Sequence, residues 1–97
     1  IKHRAHMTIR IRLVITGKVQ GVGFRYWAHQ QALRIGLSGW IKNQFDGSVE
    51  CECQGEEYQV EEFILICSSG PARAHVSNIS QQVLPVIKDN LKAFQVR

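Results

Sequence analysis

Across its first 36 residues the chain changes its hydrophobic period once, and it does so over a glycine-rich break. From Thr8 to Thr16, Ile9, Ile11, Leu13 and Ile15 alternate with Arg10, Arg12 and Val14. That period of two, rich in β-branched residues, predicts a strand with one buried face. Phe24, Trp27, Ala28, Ala32 and Ile35 then recur at i, i+3, i+4, i+8 and i+11, which is one face of a helix. Gly36 stands where a left-handed cap would end it. Between the two patterns lie Gly17, Gly21 and Gly23, three of the eight glycines in the chain.

The remainder extends this strand–loop–helix unit. Ser38 to Phe45 reads as a second strand, led in by Gly39-Trp40-Ile41. Asp46-Gly47 is a strong hairpin signal, and Ser48 to Gln54 answers as the third strand. Val60, Phe63, Ile64 and Cys67 fall at i, i+3, i+4 and i+7, and Glu56, Glu57, Glu61 and Glu62 crowd the end that the helix dipole favours for negative charge. A second helix follows from this, stopped by Gly70-Pro71. Ala74 to Val83 predicts a fourth strand in which Val76 and Ile79 break strict alternation, a sign of a bulge. Pro85 to Asn90 is a connector, and Leu91 to Arg97 is expected to form a last short strand with Phe94 and Val96 inward. Trp27 and Trp40 are expected in the core beneath the helices. The order βαββαβ plus a terminal strand defines an α+β, ferredoxin-like split βαβ sandwich: an antiparallel sheet with two helices on one face.

Ninety-seven residues, 44% hydrophobic and 21% charged, suit one ordinary globular domain. Ile1 to His6 is basic and His-rich and reads as a tail left by expression, with 7–97 the domain and Met7 its native start. No apolar run approaches the roughly 20 residues of a membrane span, and the start does not look like a secretory signal. The formal charge of +4 is halved once Lys2 and Arg4 are set aside. Such a small, scattered excess favours a phosphorylated metabolite over nucleic acid, which asks for a clustered basic stripe. Cys51, Cys53 and Cys67 cannot all pair within one chain, so a reducing, cytoplasmic setting is expected. Alternation sets Cys51 and Cys53 on the strand face of Val49, as small buried hydrophobes in preference to half a metal site.

The architecture hosts many unrelated activities, so function has to come from a site. The glycine-rich segment joins a strand to a helix, where successive N–H groups can turn inward to hold an anion and the first helical turn adds its own. Glycine tolerates the left-handed angles and close approach that this requires. Arg25 opens the helix, and its guanidinium can fork onto two phosphate oxygens. On glycine content alone, a tight turn with a solvated arginine is the better reading, because short glycine motifs match by chance. Neither a Walker loop nor a dinucleotide fingerprint is present.

Gly17-Lys18-Val19-Gln20-Gly21-Val22-Gly23-Phe24-Arg25 resembles the first acylphosphatase signature, G-x-V-Q-G-V-x-F-R, with every fixed position filled. Gly39-Trp40-Ile41-Lys42-Asn43 followed by Gly47-Ser48-Val49 resembles the second. Gly70-Pro71 with Ala74-x-Val76 is similar to a weaker third block, and Phe94-x-Val96-Arg97 to the family's ending, which often carries one more aromatic. The resemblance spans Ile9 to Arg97. It implies that Gln20, Gly21, Val22, Gly23 and Phe24 cradle phosphoryl oxygens through backbone N–H groups and that Arg25 neutralises their charge. It further implies that Asn43 holds the attacking water and that no metal or cofactor is needed. The implied partners are a small acyl phosphate and inorganic phosphate, with no nucleic acid or membrane, for a monomeric enzyme.

Other candidates carry less. His29, on the polar side of the first helix, and His75 read as surface histidines, Lys42 as solvated, and the Glu56–Glu62 cluster as a helix start. Two other classes compete. One is a phosphate-binding module without turnover, or a detached domain related to carbamoyl-phosphate-handling enzymes. The other is an RNA-binding sheet, which would need aromatics on its exposed face where the first strand offers Arg10 and Arg12.

Overall fold

A computed structural model describes residues 7–88 and 93–97. β1 (Thr8–Lys18) realises the alternation read from the sequence, with Ile11, Leu13 and Ile15 buried. It is the second strand of a five-stranded sheet ordered β4-β1-β3-β2-β5. β3 (Val49–Glu56) runs antiparallel to it from Ile15↔Val49 to Thr8↔Glu56, and β4 (His75–Leu84) flanks its other side. β2 (Ser38–Asn43) pairs antiparallel with β3. The helices α1 (Phe24–Ile35) and α2 (Glu57–Ser69) lie over one face. Their buried stripes, Phe24, Ala28 and Ala32 with Val60, Phe63 and Cys67, share a core with Leu13, Ile15, Ile41, Val49, Cys51 and Cys53. Glu56 caps α2 through a capping box with Gln59.

The expected bulge is in β4. Thr16 faces Asn78 but Gly17 faces Val76, so Ser77 is the extra residue. It lets Val76 and Ile79, three positions apart, both pack against the core.

Several expectations are corrected. The last strand, β5 (Phe94–Val96), runs parallel to β2, so the sheet is mixed. β4 ends beside Arg10, at the sheet end where β2 begins; a chain crossing from there to the far edge enters alongside β2 in the same direction. The Leu91 start expected for this strand, residues 89–90 of the connector and the tail 1–6 lie outside the described residues. β2 stops at Asn43 instead of Phe45, because Gly47 N donates to Gln44 O and turns Phe45-Asp46-Gly47 into a three-residue hairpin loop.

Trp40 is not beneath the helices. Ile41 is the residue of β2 that enters the core, so Trp40 points to the sheet's other face, between the Lys42 ammonium at 5.5 Å and the Arg97 guanidinium at 4.8 Å from its ring centroid. Trp27 is half-buried at the core's edge, edge-on to Phe24. His29 is half-buried with its ring 6.1 Å from Phe94, whereas His75 is exposed.

That second face carries a diagonal ion-pair lattice. Arg10 donates to Glu52 at 2.8–2.9 Å and Arg12 to Glu50, with Lys42 3.6 Å from Glu50. Arg10, expected to point into solvent, is only 7% exposed. The segment after β4 covers it, clipped by Gln54, which donates from Nε2 to Ile87 O and accepts from Ile87 N on Oε1. All three cysteines are free and buried. Burial pushes the Cys51 and Cys67 thiols upward, which leaves them inert as nucleophiles.

Burial acts to raise the Glu50 carboxyl, yet hydrogen bonds from Arg12 and Gln44 and the charges of Arg12 and Lys42 together hold it below its ordinary value. A depressed carboxyl stabilises the fold above its unfolded value and loses that contribution as pH falls through the folded one. The urea midpoint is therefore expected to drop as pH descends through and below the ordinary glutamate range, and Glu50→Gln to flatten that drop. An unchanged acid limb in Glu50→Gln would remove Glu50 from the account.

Candidate active site

The segment between β1 and α1 folds as its glycines require. Gly21 and Gly23 take left-handed angles, φ +72° and +79°, and a Cβ at either would meet nothing within 4 Å. Conformation, not space, is what calls for glycine there. Gly23 is also the N-cap of α1, and the first turn holds no acidic residue, so the positive end of the helix dipole is uncompensated by side chains. Its leading N–H groups have no partner within the helix. Val19, Val22 and Phe24 are buried and fasten the loop to the core.

A cavity of about 200 Å³ opens over this loop, lined by Val19, Gln20, Gly21, Gly23, Phe24, Arg25, Tyr26 and Asn43. Of the residues singled out from sequence, only Val22 does not line it. Arg25 comes from the first turn of α1 and Asn43 from the last residue of β2, so both expected residues border one hollow with the loop between them. Arg25 is the only charged group in the lining, which makes the cavity cationic. Its Nη1 donates to the main-chain oxygen of Arg97 at 2.8 Å, and its guanidinium lies 5.9 Å from the Tyr26 ring centroid. Arg97 is itself held, its N donating to Ile41 O at 2.8 Å.

Two supports were not foreseen. The Gln20 side chain donates from Nε2 to Gln44 O and Ser48 O, both at 2.8 Å. It thereby ties the glycine loop to the hairpin that follows Asn43. That hairpin is stiffened by Asp46, whose Oδ1 accepts from Ser48 N at 2.9 Å and Ser48 Oγ at 2.6 Å, and these bonds lower the Asp46 carboxyl. Gln44 Nε2 also donates to Glu50 at 2.7 Å. The glutamine of the V-Q-G run was the available signal for the first support. The second, the Arg97 main-chain oxygen, has no signature in side-chain identity.

A roomier cleft lies elsewhere. It measures about 450 Å³ between α2 and β4, and its lining, including Ile64, Leu65, Val76 and Ile79, holds no cation for a phosphoryl group. Among the described residues no group of three or more His, Cys, Asp or Glu is gathered as a metal site, and no helix is long and apolar enough to cross a membrane.

A small cationic pocket, walled by a left-handed glycine loop and a helix start on a ferredoxin-like frame, has the features that binding of an oxyanion asks for. Comparison with known proteins narrows this. A family profile described as acylphosphatase matches residues 11–96. An acylphosphatase of Nitrobacter winogradskyi is 46% identical over 90 residues, covering 93% of this chain and 88% of that one. A solved structure of an acylphosphatase from Coxiella burnetii superposes with a TM-score of 0.86 at 33% identity, covering 93% of each chain. A structure of T. kodakarensis HypF aligns with a TM-score of 0.79 at 27% identity over 92% of this chain but 12% of that one, a likeness at the level of one domain. The chain belongs to the acylphosphatase family, hydrolases of acyl phosphates.

Gln20→Ala is expected to lower stability by about 1–2 kcal/mol, the worth of two hydrogen bonds to main-chain acceptors. Amide exchange should quicken together in 20–24 and 44–48 while β1 and β3 stay protected. Faster exchange confined to the glycine loop would show that Gln20 does not couple the two segments.

Proposed function

We propose that this cavity hydrolyses carboxyl–phosphate mixed anhydrides by direct in-line attack of water, with Arg25 and the N–H groups of 20–24 holding the phosphoryl group and Asn43 holding the water. The observation that carries this reading is that Arg25 and Asn43, from different elements, border the same small glycine-floored hollow. Family membership supports the substrate class.

The chemistry asks little more of the protein. Water oxygen forms the new bond to phosphorus as the bond to the acyl oxygen breaks. The carboxylate departs with the electron pair, and the proton lost by water passes to solvent. A carboxylate is a weakly basic leaving group, so no general acid has to protonate it. The loose transition state spreads charge over three equatorial oxygens, and catalysis is then mostly positioning and electrostatics. Fixed N–H dipoles and one guanidinium meet that charge without reorganising. The Arg97 oxygen behind Nη1 restricts where the guanidinium can swing. A carboxamide both donates and accepts, so Asn43 orients a water without itself titrating.

Action as a monomer belongs to the same reading, and three free thiols support a reducing cytoplasmic setting. Residues 7–97 form the working domain in this reading. The HypF likeness, confined to one domain, does not favour turnover being absent.

Arg25→Ala should weaken inhibition by inorganic phosphate and cut turnover by about two to three orders of magnitude, the usual loss for one oxyanion-stabilising group. Arg25→Lys should recover little, because an ammonium cannot fork. Asn43→Ala should lower kcat while leaving the phosphate inhibition constant within a small factor. Arg25→Ala with unchanged phosphate inhibition and turnover would overturn the assignment. Benzoyl phosphate hydrolysis should persist in excess chelator, with p-nitrophenyl phosphate untouched. Loss of activity in chelator would make the reaction metal-dependent.

A further inference from the structure

In-line attack fixes more than the water. If Asn43 holds the nucleophile on one side of phosphorus, the bond to the leaving group lies on the opposite side, so the acyl group must extend away from Asn43 and out of the hollow. The lining decides what it meets there. Val19 and Phe24 are each 1% exposed and offer little surface, while Gly21 and Gly23 carry no side chain. Gln20 is committed to Gln44 and Ser48, and Arg25 to the phosphoryl group. What remains is Tyr26, on α1 one residue beyond Arg25, with its ring 63% exposed at the mouth.

We infer that Tyr26 is the acyl-group wall of the site and confers a preference for acyl phosphates bearing an aromatic or extended apolar group. The inference rests on the reaction proposed above and names the substrate class it favours. The ring already lies beside the guanidinium, at 5.9 Å, so an acyl group leaving the phosphoryl subsite passes over it. Ring-on-ring packing adds selectivity beyond simple covering of apolar surface. A fully exposed Phe45 is the competing aromatic, but it sits two residues past Asn43, does not line the hollow of Arg25 and Tyr26, and borders a neighbouring one that Asn43 shares. That is the water's side of phosphorus.

The test compares benzoyl phosphate with acetyl phosphate in the unaltered protein, Tyr26→Ala, Tyr26→Phe and Phe45→Ala, with inorganic phosphate inhibition measured in each. Tyr26→Ala is expected to raise KM for benzoyl phosphate about three- to tenfold, the range of one aromatic contact. KM for acetyl phosphate and the phosphate inhibition constant should rise clearly less than KM for benzoyl phosphate. Tyr26→Phe should retain the benzoyl preference, and Phe45→Ala should leave it unchanged. The inference is overturned, with the underlying reaction intact, if both substrates lose equally in Tyr26→Ala, if the preference survives that change, or if it disappears in Phe45→Ala. Turnover of neither substrate by the unaltered protein would instead remove the reaction itself, and the inference with it.

Discussion

Both hydrogens of the Gln20 carboxamide nitrogen are taken up by main-chain oxygens of the β2–β3 hairpin, Gln44 O and Ser48 O. Those two bonds index the glycine loop against the strand end that carries Asn43. Without them the loop would be joined to the hairpin through the sheet and the shared core alone, with no polar tie between them. Each partner is itself restrained. Gln44 reaches Glu50, which is paired to Arg12, and Ser48 is fixed by Asp46. The hollow thus inherits its dimensions from a chain of polar contacts that ends in the ion-pair lattice of the opposite face. Low dielectric strengthens such a chain as long as every member is satisfied, and no buried side-chain polar atom among the described residues lacks a partner.

Arg25 is braced differently. Its support is a main-chain oxygen on the residue after β5, and β5 exists because the sheet has room for a parallel strand beyond β2. Arg97 is kept in place by Ile41 O and by the stacking of its guanidinium on Trp40. The side of the sheet turned away from the helices therefore contributes to the cationic group on the helix side.

Most of the frame was legible in the residues. The period change over Gly17–Gly23 placed β1 and α1, and the Val76/Ile79 irregularity located the bulge that the pairing assigns to Ser77. Local pattern reports which residues share a face, and that is all these features needed. The direction of β5 depends on where β4 ends relative to β2, a long-range fact absent from a three-residue strand. Trp40 was misplaced because aromatic character suggests burial, whereas the parity set by Ile41 sends it to the other face. The roles of Arg25 and Asn43 came from a resemblance between long motifs, and no periodicity would have joined them. The Gln20 bridge and the Arg97 oxygen depend on side-chain and main-chain geometry that a one-dimensional pattern does not encode.

The Gln54 clip on Ile87 has a consequence for what this sheet can be used for. Sheets of this topology that read single-stranded RNA do so by laying bases flat on the face without helices. Here Ile87, clipped by Gln54, lies against that face, and a hollow of about 280 Å³ is bordered by it together with Arg10, Trp40, Glu52 and Arg97. A nucleobase seeking the Trp40 ring would have to displace a guanidinium and unfasten a two-bond carboxamide latch. The residues just after β4 thus occupy part of the face that RNA-reading sheets of this topology leave open.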